Sequence, residues 1–310
     1  MKLDFATADE KRARDRLAYE SWGDLLTTEQ YLQREARLCA HPWARETKAC
    51  WVWRDGDGAI LSSCETYRMC SAVDGVRGET WGVASVFTEP ALRGRGHATR
   101  LMDLVIKRVR HDSPAAHAML LFSDVGAAIY ERSGYRTRPA DDLLFPPAPG
   151  ALAADALLDE TEALAAFSTL EPPPEPFVIW PARDQLDWHL ERARTYAALL
   201  GRPLLPHAGA RIGDSVIVWA ADWKHDRLQV LLLASSRGHE AEALVRAARR
   251  CAAAADLNEV RLWAEPWDFV GRDDLGGDRV ARRDSLPMLA PLLPSLRPEM
   301  WRRIPRAVWM

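Results

Sequence analysis

The stretch from Trp81 to Arg110, WGVASVFTEPALRGRGHATRLMDLVIKRVR, leaves this chain few ways to fold. Trp81 to Phe87 is apolar and β-branched enough for a buried strand, and Thr88-Glu89-Pro90 stops it because proline cannot donate to a ladder. From Leu101 the apolar positions Leu101, Leu104, Val105 and Val109 recur at helical spacing, so Arg93 to Thr99 is the turn that enters a helix. Strand, glycine turn and helix in this order make a cradle for phosphate. Gly94 and Gly96 let the backbone approach closely, and the free N–H groups of the first helical turn point at an anion that the helix dipole favours.

Spacing separates the families that use such a turn. A P-loop needs Lys-Ser or Lys-Thr after its last glycine and a Rossmann fingerprint needs three glycines; the chain has neither. What it has is Arg-x-x-Gly-x-Ala, filled by Arg93, Gly96 and Ala98, and this resembles the coenzyme A motif of the GNAT acetyltransferase superfamily. A second landmark follows the apolar run Ala118 to Phe122: Ser123-Asp124-Val125-Gly126, then Tyr130-Glu131-Arg132-Ser133-Gly134-Tyr135, similar to the superfamily's Tyr-x-x-x-Gly-aromatic helix end. The resemblance implies an α/β GNAT fold, a mixed and splayed central sheet with helices on both faces. It implies acetyl-coenzyme A, or another acyl-coenzyme A, as cosubstrate. The pyrophosphate would lie on Arg93, Gly94, Arg95, Gly96, His97, Ala98 and Thr99, and the pantetheine arm along Ser85, Val86 and Phe87, with Asp124 beside it. Tyr130 would be the general acid that returns a proton to the leaving thiolate.

The acceptor side is read from the strand Ala59 to Val73, paired into a hairpin with Cys50 to Arg54 across Asp55-Gly56-Asp57-Gly58. Side chains alternate on a strand, so Ser63, Glu65 and Tyr67 share one face and Cys64 and Thr66 the other. An amine must be neutral to attack a thioester, which asks for a carboxylate able to take its proton; Glu65 is the expected base. Glu79 and Asp74, nearer the turn, are alternatives. Met310 is another, since some acetyltransferases use a terminal carboxylate. His97 and His117 read as structural beyond the cradle, and Cys64 as a packed thiol, so no acyl-enzyme is expected.

Ser62-Ser63-Cys64-Glu65-Thr66-Tyr67, with Ala84 to Thr88, the Arg93 turn and Leu121 to Gly126, is similar to the fungal-type lysine N-acetyltransferases, a branch that acetylates the side-chain amine of free lysine. Trp188-His189, Val216 to Trp223 and Arg282 to Pro287 resemble that branch's C-terminal region. Proline clusters at residues 139–149 and 172–176 divide the chain into a catalytic domain over 1–150, a linker with an alanine-rich helix from Ala151 to Phe167, and a second domain over 178–310. The second domain reads as helix Pro181–Leu200, strands Ser215–Ala221 and Leu228–Leu233, helix Glu240–Ala255 and strand Glu259–Trp263. That order echoes the first, but Ser235-Ser236-Arg237-Gly238-His239 replaces the cradle, so a smaller degenerate GNAT-like α/β domain is expected. Its tryptophans Trp188, Trp219, Trp223, Trp263 and Trp267 read as core, with a part for some in selecting substrate.

Among 310 residues the formal net charge is −3, which argues against a nucleic-acid partner even though Arg93 to Arg110 is locally basic. The charged N-terminus lacks a signal peptide's apolar core and no window suits a membrane span, so a cytoplasmic protein with no membrane partner is expected. Five cysteines without a CxxC pair imply reduced thiols and no metal. The partner is a small-molecule amine. Two rival readings are an acyltransferase that takes its thioester from the phosphopantetheine arm of an acyl carrier protein docked on the basic helix, and a non-catalytic coenzyme A sensor.

Overall fold

The structure, a computed structural model, describes residues 1–150, 156–235, 237–264 and 275–310. Its first half runs β1 (Lys2–Phe5), α1 (Ala8–Trp22), α2 (Thr28–Ala40), α3 (Pro42–Thr47), β2 (Lys48–Arg54), β3 (Ile60–Val73), β4 (Val76–Phe87), α4 (His97–Asp112), β5 (Ala116–Ser123), the single turn α5 (Ala128–Glu131), β6 (Arg136–Thr137) and β7 (Asp141–Phe145). The second half runs β8 (Ala156–Leu158), α6 (Glu160–Phe167), β9 (Phe177–Ile179), α7 (Arg183–Leu200), β10 (Gly209–Ile212), β11 (Ser215–Asp222), β12 (Arg227–Ala234), α8 (Gly238–Ala254), β13 (Glu259–Trp263), β14 (Asp278–Ala281) and β15 (Leu286–Pro291). Capping boxes start two of the early helices: Thr7 with Glu10 opens α1, and Thr27 with Gln30 opens α2.

Two sheets form. The first has the order β1-β2-β3-β4-β5-β15-β6 with β9 on the far end of β3, and the second has the order β14-β7-β13-β12-β11-β10-β8. In the first, β3 and β4 pair antiparallel, α4 crosses over, and β5 returns parallel to β4. The second repeats this with β11, β12, α8 and β13. This is the mixed α/β fold with a smaller second unit that the resemblance implies.

The sheets are completed by exchange. The neighbour of β5 on its open side is β15, from the end of the chain, and the neighbour of β13 is β7, from the first half. The exchange crosses the boundaries expected at 150 and 177: Asp141–Phe145 serves the second sheet, while Phe177–Ile179 and Leu286–Pro291 serve the first.

Local sequence explains the remaining differences. The alanine-rich segment does not run as one helix to Phe167; its start at 151–155 lies outside the described residues, 156–158 is strand β8, and Asp159 with Glu162 forms a capping box that begins α6 at Glu160. Helix α7 begins at Arg183 rather than Pro181. Leu101, Met102, Val105, Ile106 and Val109 bury one face of α4 against the first sheet, together with Cys64, Met119 and Leu121. Trp219 and Trp223 are core on the second sheet, and Trp263 packs between the sheets with Phe122 and Trp301. Trp267 and Ser236 lie outside the described residues. Among the described residues no helix is long and apolar enough to cross a membrane.

Candidate active site

One cavity of about 1130 Å³ runs between the two halves, walled by β4, the Arg93 turn, β5 and α5 on one side and by α2, α7, β11, β12 and the last residues on the other. Its floor is a gap in the first sheet. Pairing of β4 with β5 ends at Val83 and Leu121, although both strands continue. On the other edge the β3 register jumps between Ser63 and Glu65, so Ser85 and Val86 are left out of the ladder. Ser85 takes a left-handed conformation, φ 51°, uncommon for a residue with a side chain. Arg14 of α1 holds this bulge: its guanidinium donates to the Ser85 carbonyl and to the Ser63 hydroxyl.

The glycine turn and helix start form where the sequence put them. Gly96 is the N-cap of α4 in the left-handed region, φ 79°, and no side chain among the described residues caps the helix. The first bond of the helix is from the Arg100 amide to the Gly96 carbonyl, leaving the amides of His97, Ala98 and Thr99 to the cavity that these residues line. Arg93, Gly94, Val86 and Phe87 line it too. Arg95 does not: its side chain is exposed outside the cavity, and Arg93 is tied by its Nε to the Thr88 carbonyl at 3.0 Å. An uncapped helix start with two glycines in positive φ, opening on a split between parallel strands, fits a pyrophosphate and an extended arm. At the corresponding place in the second half Glu240, in the first turn of α8, accepts from Ser215 Oγ at 2.5 Å and from Arg237 at 2.9 Å. The chain's own carboxylate occupies that helix start.

Tyr130 lines the cavity, and its hydroxyl has no hydrogen-bond partner among the described residues. Burial pushes its pKa up to about 12, so the phenol is a neutral donor at physiological pH. Asp124 lines the cavity but its carboxylate is already engaged, accepting from the Ser285 amide at 2.8 Å and the Ser285 hydroxyl at 3.3 Å. It anchors the segment that leads into β15.

Glu65 is where the expected chemistry changes. It lines the cavity, but its carboxylate lies 3.0 Å from Lys48 Nζ, 3.2 Å from Lys11 Nζ and 3.5 Å from Arg14 Nη1, and it accepts from Tyr67 and Ser85 hydroxyls. Burial alone would raise its pKa; Lys48, Lys11 and Arg14 outweigh burial and hold it well below the carboxylate range. A carboxylate so stabilised as an anion has little affinity for an ammonium proton, so Glu65 is not suited to be the base. It is the counter-ion that keeps buried Arg14 and half-buried Lys11 and Lys48 beside the bulge. The one cluster of three carboxylates close enough to share an ion among the described residues, Asp15, Glu35 and Glu65, is the acidic half of this same ion-pair network.

The other expected bases are elsewhere. Glu79 bonds Ser113 and Arg68, Asp74 sits in the β3–β4 turn, and neither lines the cavity. His117 is buried against Ser71 at 3.0 Å, burial lowers its pKa, and a side chain on Gly78 would collide with its ring. Cys64 is fully buried, and burial raises its pKa. Met310 does reach the cavity, its side chain filling the space over Gly82.

Sequence reasoning missed a second polar pair, on the cavity wall opposite the Arg93 turn. His225, in the β11–β12 turn, bonds through Nδ1 to Asp222 at 2.8 Å, and both residues line the cavity. Asp222 is held well below the carboxylate range: burial opposes this, and His225, Arg192 and Arg227 outweigh burial. An Asp and a His three positions apart at a hairpin turn were the available signal, but nothing in the sequence says that this turn faces the first sheet. Trp188, expected as core or as a selector of substrate, packs on Trp43 and Tyr67 in the core and also lines the cavity.

Comparison with known proteins agrees with this geometry. A family model described as acetyltransferase (GNAT) domain matches residues 6–138, and one described as LYC1 GNAT-like C-terminal domain matches residues 152–291. A lysine acetyltransferase of Yarrowia lipolytica is 21% identical, the alignment covering 86% of each chain. Among solved structures, a probable N-acyltransferase from Enterococcus faecalis has TM-score 0.64 at 11% identity, over 94% of this chain and 72% of that one. Eis1 from Mycobacterium abscessus has TM-score 0.58 at 17% identity, over 94% and 74%. At these identities the two structures speak for the fold.

Proposed function

The chain belongs to the GNAT acetyltransferase superfamily and is an N-acyltransferase, and we propose that it moves an acetyl group from acetyl-coenzyme A to the primary amine of a small molecule by direct attack. The observation that carries this reading is the bulge at Ser85 opening into the gap between β4 and β5, with the uncapped start of α4 at one end and the Tyr130 hydroxyl lining the same cavity. The amides of His97, Ala98 and Thr99 would hold the pyrophosphate, and the free backbone edge of Ser85 and Val86 would hold the arm. Backbone N–H groups fixed at a bulge cost no reorganisation when negative charge develops, and one such donor contributes about 3 kcal/mol in well-studied sites. Tyr130, kept neutral by burial, gives its proton to the departing sulfur. The incoming ammonium gives its proton to His225, which Asp222 holds by its Nδ1, leaving Nε2 as the acceptor.

Because the Yarrowia relative is named for lysine, free lysine is the first acceptor to try. Thiol release from acetyl-coenzyme A would be followed with lysine, ornithine, aminoglycosides and polyamines, beside Tyr130→Phe and His225→Gln. Turnover with one amine class, reduced about 100-fold or more in each variant, supports the reading. Binding of acetyl-coenzyme A without turnover of any amine would overturn it, and thiol release only from an acyl carrier protein would reassign the donor.

A further inference from the structure

Among the described residues, two arginines on the acceptor wall have no anion to hold. Arg306 opens the short 3-10 turn Arg306–Val308, lines the cavity, and is only 9% exposed. Its guanidinium packs 3.9 Å from the ring centroid of Trp309 and 5.2 Å from that of Trp263. Its Nη1 is buried without a hydrogen-bond partner, and no described residue forms an ion pair with it. Arg192 of α7 lines the same wall, 5.2 Å from the Trp309 ring and 5.1 Å from Tyr196, and it too has no ion pair among the described residues. The nearby carboxylates of Asp222 and Asp142, among the described residues, are taken. Asp222 pairs with His225 and Arg227, and Asp142 pairs with Arg261 and Arg282. Burial, with repulsion from Arg192, Arg227 and Arg282, pulls the Arg306 pKa well below its ordinary value. Buried polar groups almost always have partners, and a buried cation left without one is costly, so a counter-ion from outside the chain is the economical explanation.

We propose that Arg306 and Arg192, packed on the Trp309 ring, form the docking site for a carboxylate carried by the acceptor, which makes the acceptor an amino acid rather than a polyamine or an aminoglycoside. This rests on reading the cavity as the acceptor chamber of an N-acyltransferase. A guanidinium presents parallel N–H groups that match the two oxygens of a carboxylate, and an aromatic ring beneath it fixes its plane. A carboxylate held on this wall leaves the other end of the molecule, with its amine, free to face the gap at Ser85. The same wall repels a second amine, so a diamine meets like charge where an amino acid meets its counter-ion.

The test compares acceptors that differ only in the carboxylate, lysine against cadaverine and ornithine against putrescine, by thiol release and by calorimetric binding. Wild type, Arg306→Gln, Arg306→Lys and Arg192→Gln are measured together, with thermal unfolding of each. In wild type the carboxylate-bearing member of each pair is favoured about 10- to 100-fold in kcat/KM and in affinity, and the glutamine variants collapse that ratio through KM rather than kcat. Arg306→Lys keeps a cation in the turn and retains part of the preference. If Arg306→Gln does not fold, Arg192→Gln, at a half-buried position, decides. Equal binding of paired compounds, or an unchanged ratio in folded variants, overturns the docking site and leaves acetyl transfer standing; absence of binding by all four compounds also overturns it. Arginine-dependent binding of lysine or ornithine without thiol release keeps the docking site and overturns the transferase reading.

Discussion

At the scale of single residues, environment separates two candidate acid–base groups. Tyr130, buried and neutral, suits the acid role proposed for it: Tyr130→Phe retains the ring and removes the proton, and we expect kcat to fall about 100-fold or more with KM little changed. With its pKa near 12, the acid form is lost only as pH rises through that value, so pH–rate profiles should show no alkaline loss assignable to Tyr130 below about pH 10. Glu65 exchanges catalysis for stability. Its pKa is depressed from 4.5, so its contribution is complete above pH about 4.5 and is lost as pH falls below it. Glu65→Gln should destabilise by about 3–5 kcal/mol near neutrality, read from urea unfolding, because it strands Lys48, Lys11 and Arg14 without their shared partner. A flatter dependence of stability on pH below 4.5 in the variant would confirm the linkage. The strand alternation in Ser62–Tyr67 was legible: Cys64 packs with α4, and Glu65 meets Tyr67 on the other face. The cations were not, because Lys11 and Arg14 come from α1 and Lys48 from the start of β2, and only tertiary folding brings them to one carboxylate.

At the scale of elements, the cradle was the most legible part of the chain because every signal for it is local: a proline stop, glycines, then a helical apolar stripe. Gly96 is the position where that locality can be tested. Its φ of 79° is strained for any side chain, while the space a Cβ would enter is open, so Gly96→Ala perturbs the backbone without a clash. We expect a loss of about 1–2 kcal/mol in thermal unfolding, together with weaker acetyl-coenzyme A binding by calorimetry. An unchanged dissociation constant would detach the helix start from the donor. The contrast with α8 has the same local origin: Glu240 stands in the first helical turn, where a bound anion would have to sit.

At the scale of the whole molecule, what the sequence hid is the exchange of strands. Asp141–Phe145 and Leu286–Pro291 are short and mostly buried, and nothing in five or six such residues names the sheet they join. The expected cut at residue 150 therefore divides both sheets. A fragment of residues 1–150 lacks β15 and presents the open edge of β5; we expect it to be insoluble or without a cooperative transition by circular dichroism, and supplying 151–310 in trans should restore one. Cooperative unfolding of the isolated fragment would show that β15 is dispensable. The exchange also sets a timetable for synthesis. The cradle and the gap emerge early from the ribosome, yet β5 waits for its neighbour until Leu286–Pro291 is translated, roughly 10–30 s at ordinary elongation rates. Throughout that interval the nascent chain carries a bare strand edge beside its future active site. Maturation should thus depend on a chaperone that shields that edge, and slow codons placed before Leu286 would lower the yield of enzyme without altering a single residue of it.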